Sequence, residues 1–295
     1  MTYSPARAGR HATVAIRGLE HHVVRWGPDS DNPLLFLHGF ADAAETYQLV
    51  VDAFDPAWPL LAIDWRGFGR TARSAGGYWF PDYYADLEAM ADMFCPKGRA
   101  RIVGHSMGAN VAMIYAGVRP SRVGGLVNLE GFGLPRTQPS QAPERIAAWL
   151  DEHRTPPAAG EYASLEELAA RVAKRNPRLA PDLAGFIAAC WSEALPDGRV
   201  RLLTDPAHRH VNPYLYQREE MEACWRRIEA PVLMIFGRES EHARRLAPEG
   251  GIESFRTIVR KLAIEEVAGA GHMLHHEQPR EVARLIETFF GQPEP

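Results

Sequence analysis

Residues 101–110 read Arg-Ile-Val-Gly-His-Ser-Met-Gly-Ala-Asn. This is a short apolar strand, a forced turn and the first turn of a helix. The turn, Gly104-His105-Ser106-Met107-Gly108, has the form Gly-x-Ser-x-Gly. A serine in such a turn sits on a sharp strand-to-helix bend with its hydroxyl above the sheet edge. The chain must therefore build a sheet in which this strand feeds directly into a helix. Lacking a Cβ, Gly104 and Gly108 let strand and helix approach on either side of the serine. The bend holds Ser106 in a strained backbone conformation, as functional sites often do. The helix start behind it turns unpaired N–H groups toward any negative charge that develops nearby.

The flanking pattern supplies that sheet. Residues 13–17 and 22–26 read as two short strands turning at Gly18. Leu34-Leu35-Phe36-Leu37 and Leu60-Leu61-Ala62-Ile63 are apolar throughout, as strands buried on both faces are. Helical spacing follows at 46–54 and 83–94, the second with Leu87, Met90, Ala91 and Phe94 on one face. A helix at 107–118 stops before Pro120, and 123–129 is another strand. The alternation resumes with strands at 231–237 and 264–267 and a closing amphipathic helix at 279–290. Strands alternating with helices predict a mostly parallel, eight-stranded α/β sheet covered on both faces.

Between these halves the pattern changes. Residues 131–225 carry helical segments at 143–153, 165–176, 181–194 and 217–227, and no buried strand of comparable strength. Ser164-Leu165-Glu166-Glu167 matches a capping box. The expected organisation is a core of 1–130 and 226–295 with a helical cap, 131–225, inserted after the strand ending at Glu130.

Of the 295 residues, 46% are hydrophobic and 24% charged, ordinary for a globular chain with a sizeable core. A net charge of −4 without a basic block leaves no footprint for nucleic acid. Cys95, Cys190 and Cys224 are far apart and odd in number, which suits reduced thiols in a cytoplasmic setting. Residues 1–12 lack the apolar stretch of a signal peptide, and no run approaches the roughly 20 apolar residues of a membrane helix. The expected partner is a small-molecule substrate, with neither nucleic acid nor membrane; oligomeric state is not encoded in these features.

A serine hydroxyl is a weak nucleophile at neutral pH and needs a base, and the base needs an orienting acid. Among the 12 histidines, His272 follows a strand and the glycine-rich turn Ala268-Gly269-Ala270-Gly271. That places it at a strand end, where Ser106 also lies; His275 and His276 are its near competitors.

Four motifs now stand in order: His38-Gly39-Phe40, Asp64-Trp65-Arg66-Gly67-Phe68-Gly69, Gly104-His105-Ser106-Met107-Gly108 and Gly269-Ala270-Gly271-His272. Together they resemble the α/β-hydrolase fold superfamily from about residue 34 to 290, with 131–225 in the place of its variable cap. The resemblance implies an oxyanion hole formed by the backbone N–H groups of Phe40 and Met107. It implies that Asp64 and Arg66 hold a loop. The usual acid position, three residues past Gly237, is Ser240, flanked by Glu239 and Glu241. A second family arrangement, that of haloalkane dehalogenases, puts the acid at the end of the preceding strand, where this chain has Glu130. A glutamate closing an apolar strand is poorly explained as solvated surface, so Glu130 is the preferred acid. The dehalogenases and epoxide hydrolases carry an aspartate where this chain has Ser106. A serine there implies an acyl-enzyme instead.

The expectation is a serine hydrolase of small to medium apolar carboxylic esters, acting through Ser106, His272 and Glu130, with no cofactor and no metal. Phe132, Trp191 and Tyr214 are the candidate substrate-binding residues of the cap. The histidine-rich stretch 205–210 lacks convincing ligand spacing and reads as a solvated loop. Rival readings are a carbon–carbon bond hydrolase of aromatic degradation and a ligand-sensing homologue without turnover.

Overall fold

A computed structural model describes residues 3–155, 157–245 and 251–291. In chain order the strands are β1 (Arg10–Ile16), β2 (Leu19–Trp26), β3 (Leu34–Leu37), β4 (Leu60–Ile63), β5 (Ala100–His105) and β6 (Val123–Leu129). β7 (Glu161–Tyr162), β8 (Ser192–Ala194) and β9 (Val200–Leu202) follow in the excursion, then β10 (Val232–Gly237) and β11 (Leu262–Val267). The helices are α1 (Gln48–Val51), α2 (Phe80–Phe94), α3 (Met107–Val118), α4 (Ala142–Arg154) and α5 (Leu165–Arg175). They continue with α6 (Leu183–Trp191), α7 (Arg218–Trp225), α8 (Glu241–Arg245), α9 (Leu274–Glu277) and α10 (Pro279–Gly291).

Eight strands form one sheet in the order β1-β2-β4-β3-β5-β6-β10-β11. β2 runs antiparallel to both neighbours, and β4, β3, β5, β6, β10 and β11 are mutually parallel. The mostly parallel sheet expected from the alternation is what the chain builds. Its unbroken apolar runs are explained by period-two burial. Leu35, Leu37, Leu61 and Ile63 point into one core layer, under α2, α3 and α7. Leu34, Phe36, Leu60 and Ala62 point into the other, under α1 and α10.

After β6 the chain leaves the sheet and returns at β10. In between, Leu168, Val172, Ala184, Ile187 and Ala188 of α5 and α6 pack together with Leu49 of α1. Ser164 caps α5 by accepting from the Glu167 N–H at 3.3 Å. Two features of this region differ from the sequence reading. β7, β9 and β8 pair into a small antiparallel sheet; strands of two or three residues are too short to show a period. The last helix, α7, packs on α3, with Trp225 fully buried in the core layer beside Phe255.

Parallel strands all end at one edge, and the loops there converge as they do in open α/β sheets generally. The turns after β3, β5, β6, β10 and β11 meet at that edge.

Candidate active site

Ser106 sits between β5 and α3 with φ 48° and ψ −110°. Its N–H donates to Leu129 O at 2.8 Å, tying the turn to the end of β6. A methyl on Gly104 would lie 2.6 Å from the Ala109 backbone, and one on Gly108 2.3 Å from Leu37 O. The two glycines are therefore demanded by close approach, as the motif implied. Four residues other than glycine have positive φ among the described residues: Arg17, Ala41, Ser106 and Glu130. Three of them lie just past β3, β5 and β6. Backbone strain is concentrated where these strand ends meet.

Three side chains distant in sequence converge here. His272 Nε2 is 3.1 Å from Ser106 Oγ. His272 Nδ1 is 3.1 Å from Glu130 Oε2. The Glu130 side chain is wholly buried, while His272 keeps 23% exposure. The other Glu130 oxygen accepts from the Gly237 N–H at 2.8 Å, and Oε2 also accepts from Ser240 Oγ at 2.6 Å. Ser240, at the position where the family more often has its acid, thus serves Glu130 as a donor. Glu239 faces away: it accepts from the Ala270 N–H at 2.8 Å and so braces the loop that carries His272. Glu241 is 76% exposed and pairs with Arg245 in α8.

Met107 opens α3, so its amide has no acceptor within the helix. The turn after β3 lies against the serine: a methyl on Gly39 would be 3.2 Å from Ser106 Cβ. Next to it, the Phe40 side chain is 52% exposed. It packs edge-on against Phe68 at 5.5 Å. His38 locks the same turn, accepting from the Trp65 N–H at 3.0 Å through Nε2.

Asp64 and Arg66 hold the loop after β4. Asp64 is hydrogen-bonded to His22 Nδ1 at 2.7 Å and accepts from the Ala44 N–H at 2.6 Å. Burial acts against its charge, but His22, His38 and that amide hold it below the usual carboxylate range. Arg66 makes two 2.6 Å hydrogen bonds to Asp86 of α2.

The three aromatics of the 131–225 stretch, Phe132, Trp191 and Tyr214, have separate surroundings. Phe132 is buried in the core layer against Phe255. Trp191 donates from Nε1 to Asp42 at 2.8 Å. Tyr214 stands 75% exposed, 6.1 Å from the Trp79 ring. Each is placed by its own long-range neighbour, which chain position alone does not reveal.

Several histidines near the site escaped the sequence reading. His242 of α8 stacks on His272 with ring centres 3.9 Å apart. Burial, helped by His272, lowers its pKa. His105 is fully buried and donates from Nε2 to His272 O at 2.8 Å. Burial, then His275 and His272, push its pKa well below the ordinary value. A usable signal existed for His242, which stands two residues past Ser240. His208 corrects the expectation of a solvated loop at 205–210. Its ring lies between Phe68, at 3.8 Å, and Tyr78, at 3.6 Å. Asp205 beside it accepts from Tyr78 Oη at 2.7 Å, so the segment latches the stretch between β6 and β10 to the loop after β4.

Comparison with known proteins agrees with this architecture. Residues 34–285 match the alpha/beta hydrolase family. A Serine hydrolase-like protein of Danio rerio is 36% identical over 115 residues, 38% of this chain and 35% of that one. The chain thus spans about a third of that relative. The 2-(acetamidomethylene)succinate hydrolase of Mesorhizobium japonicum is 22% identical over 256 residues, 87% of each chain. Among solved structures, the thioesterase domain from the curacin biosynthetic pathway superposes with a TM-score of 0.82 at 22% identity. That superposition covers 95% of this chain and 99% of the other, and speaks for the fold alone. No helix among the described residues is long and apolar enough to cross a membrane. The chain belongs to the alpha/beta hydrolase family.

Proposed function

We propose that the protein is a serine hydrolase of carboxylic esters, working through an acyl-enzyme on Ser106. The observation that carries this reading is the continuous contact from Ser106 Oγ through the His272 ring to the buried Glu130 carboxylate, at 3.1 Å on each side. His272 Nε2 takes the serine proton as Oγ attacks the ester carbonyl. Nδ1–H, held by Glu130, fixes the tautomer, and the carboxylate offsets the imidazolium charge that forms. The Phe40 and Met107 amides receive the developing oxyanion; losing one such donor generally lowers the rate on the order of a hundredfold or more. His272 returns the proton to the leaving alcohol, then activates water to release the acid. The half-exposed Phe40, next in sequence to the Gly39 that lies against the serine, suits an apolar acyl group. The substrate is a small molecule. The three cysteines, all free, are in keeping with a cytoplasmic setting.

The test is labelling of the intact protein with a fluorophosphonate, together with a p-nitrophenyl ester series of increasing chain length. Wild type is expected to form an adduct on Ser106 and to turn over the shorter esters. Ser106→Ala is expected to lose the adduct and to lower kcat on the order of 10⁴-fold or more. An adduct without ester turnover, but with cleavage of vinylogous diketones, replaces the ester reading with a carbon–carbon one. No adduct at all replaces it with a sensor.

A further inference from the structure

Behind His272 lies a second group of side chains that the proposed reaction does not use. Asp42 comes from the turn after β3; His275 and His276 come from α9. All three are buried, the two histidines completely. Asp42 Oδ2 is 3.2 Å from His275 Nε2 and 3.5 Å from His276 Nε2. The three donor atoms lie within 4.8 Å of one another. The other carboxylate oxygen is already committed. Oδ1 accepts from the Ala43 N–H, Thr46 Oγ1 and Trp191 Nε1 at 2.9, 2.9 and 2.8 Å. Asp42 is thereby held with Oδ2 hydrogen-bonded to His275 Nε2 at 3.2 Å and facing His276 Nε2 at 3.5 Å.

Hydrogen bonding alone does not satisfy the group. His276 Nδ1 and His275 Nδ1 have no hydrogen-bond partner, and His276 Nε2 has only its 3.5 Å approach to Asp42 Oδ2. Buried polar groups in folded proteins are nearly always partnered, and an orphaned one is destabilising. Two imidazoles converging on one carboxylate oxygen have the donor chemistry of a metal site. In a tetrahedral zinc site with bonds of about 2.0–2.1 Å, ligand atoms are about 3.3–3.4 Å apart. Two of the three separations, 3.2 and 3.5 Å, bracket that spacing, and the third, between the two imidazoles, lies within 4.8 Å. The nitrogen-rich set suits zinc and its neighbours and is poor for magnesium or calcium, which take oxygen. The hydrogen bonds to Asp42 Oδ1 are of the kind that orient a ligating carboxylate.

We propose that Asp42, His275 and His276 bind a first-row transition dication, with Zn²⁺ the best match. The ion would brace the turn that carries Phe40 against the helix that follows His272. It would not reach the ester carbonyl. The His105 ring stands between His272, at 4.9 Å, and His275, at 4.2 Å, so the site lies behind the reactive edge.

The experiment uses the full chain, stripped with EDTA and desalted, titrated with Zn²⁺ by calorimetry and with Co²⁺ by visible absorption. Expected is one ion per chain with a micromolar or tighter Kd, and a Tm that rises on adding Zn²⁺. Asp42→Asn and His276→Gln should each weaken binding at least tenfold and abolish the Tm rise. His11→Ala should bind as wild type does; it removes the contact of the exposed His11 with the buried His22, whose nitrogens are 2.9 Å apart. Circular dichroism reports whether each variant folds. If neither ligand variant folds, the wild-type Co²⁺ spectrum decides: intense tetrahedral absorption supports the site, and weak octahedral absorption overturns it. Absence of stoichiometric binding to wild type, or full binding by folded His276→Gln, also overturns it. Every readout is independent of hydrolysis, so the site can fail while the ester reading stands, and the reverse.

Discussion

Replacing Glu130 by glutamine is the sharpest perturbation of this site, because the geometry dictates how it must fail. The carboxylate faces three donors: the Gly237 N–H at 2.8 Å, Ser240 Oγ at 2.6 Å and His272 Nδ1 at 3.1 Å. Glutamine offers one oxygen and one NH₂ group. With the oxygen toward Ser240 and His272, the NH₂ meets the Gly237 N–H, and two donors collide in a fully buried place. With the oxygen toward Gly237, the NH₂ points at Nδ1, which must then be unprotonated. The proton moves to Nε2, and the imidazole can no longer accept from Ser106. Either outcome leaves a buried mismatch of about 1–3 kcal/mol in stability. Loss of the carboxylate also removes the partner of the imidazolium, for which a fall of roughly 10³–10⁴ in kcat is expected. That corresponds to about 4–5.5 kcal/mol in the barrier. The assay is steady-state hydrolysis of a short p-nitrophenyl ester, with Tm measured alongside. KM should change little, since Glu130 is shielded from substrate by the His272 ring. Glu241→Gln should match wild type, and Glu239→Gln and Ser240→Ala should lose about tenfold or less, as residues acting through the loop and through Glu130. Glu130→Gln retaining a tenth of wild-type kcat, with Glu239→Gln or Glu241→Gln crippled, would refute the reasoning.

Two further outcomes follow from packing and burial. In Gly108→Ala the new methyl would lie 2.3 Å from Leu37 O and 2.7 Å from His38 O, both backbone atoms that cannot rotate away. A loss of about 1–3 kcal/mol in urea unfolding is expected, with a fall in kcat as the Phe40 turn is displaced; wild-type stability would show that the approach is looser than described. Burial between Phe68 and Tyr78 lowers the His208 pKa from 6.5 to about 4. Between those values the unfolded chain binds a proton that the folded chain refuses. The contribution is therefore complete above pH 6.5 and lost as pH falls toward 4. At pH 5 it amounts to at most about 2 kcal/mol. Urea unfolding at pH 7 and pH 5 should show His208→Phe losing less stability than wild type by up to that amount, and equal losses would refute the buried latch.

The strands and the elbow were legible because they rest on local rules. Unbroken apolar runs such as Leu34–Leu37 announce burial on both faces, and Gly104 and Gly108 announce a crossing too close for a Cβ. Glu130 was legible because a carboxylate ending an apolar strand needs a reason. What stayed hidden depends on contacts across the chain. The β7-β9-β8 sheet is made of pieces too short for a period. The stacking of His242 on His272 and the insertion of His208 between two core rings join residues 30 or more positions apart. No spacing rule connects them.

The sequence by itself determined the class of fold, the strained serine and the short set of groups able to serve it, because each follows from nearest-neighbour sterics and burial period. Only the tertiary structure decided which of three carboxylates meets His272. It also packed Phe132 into the core beside Phe255, and turned Asp42 toward two buried imidazoles. Those outcomes are set by where strand ends and helices dock, and docking is a property of the assembled layers rather than of any stretch of chain.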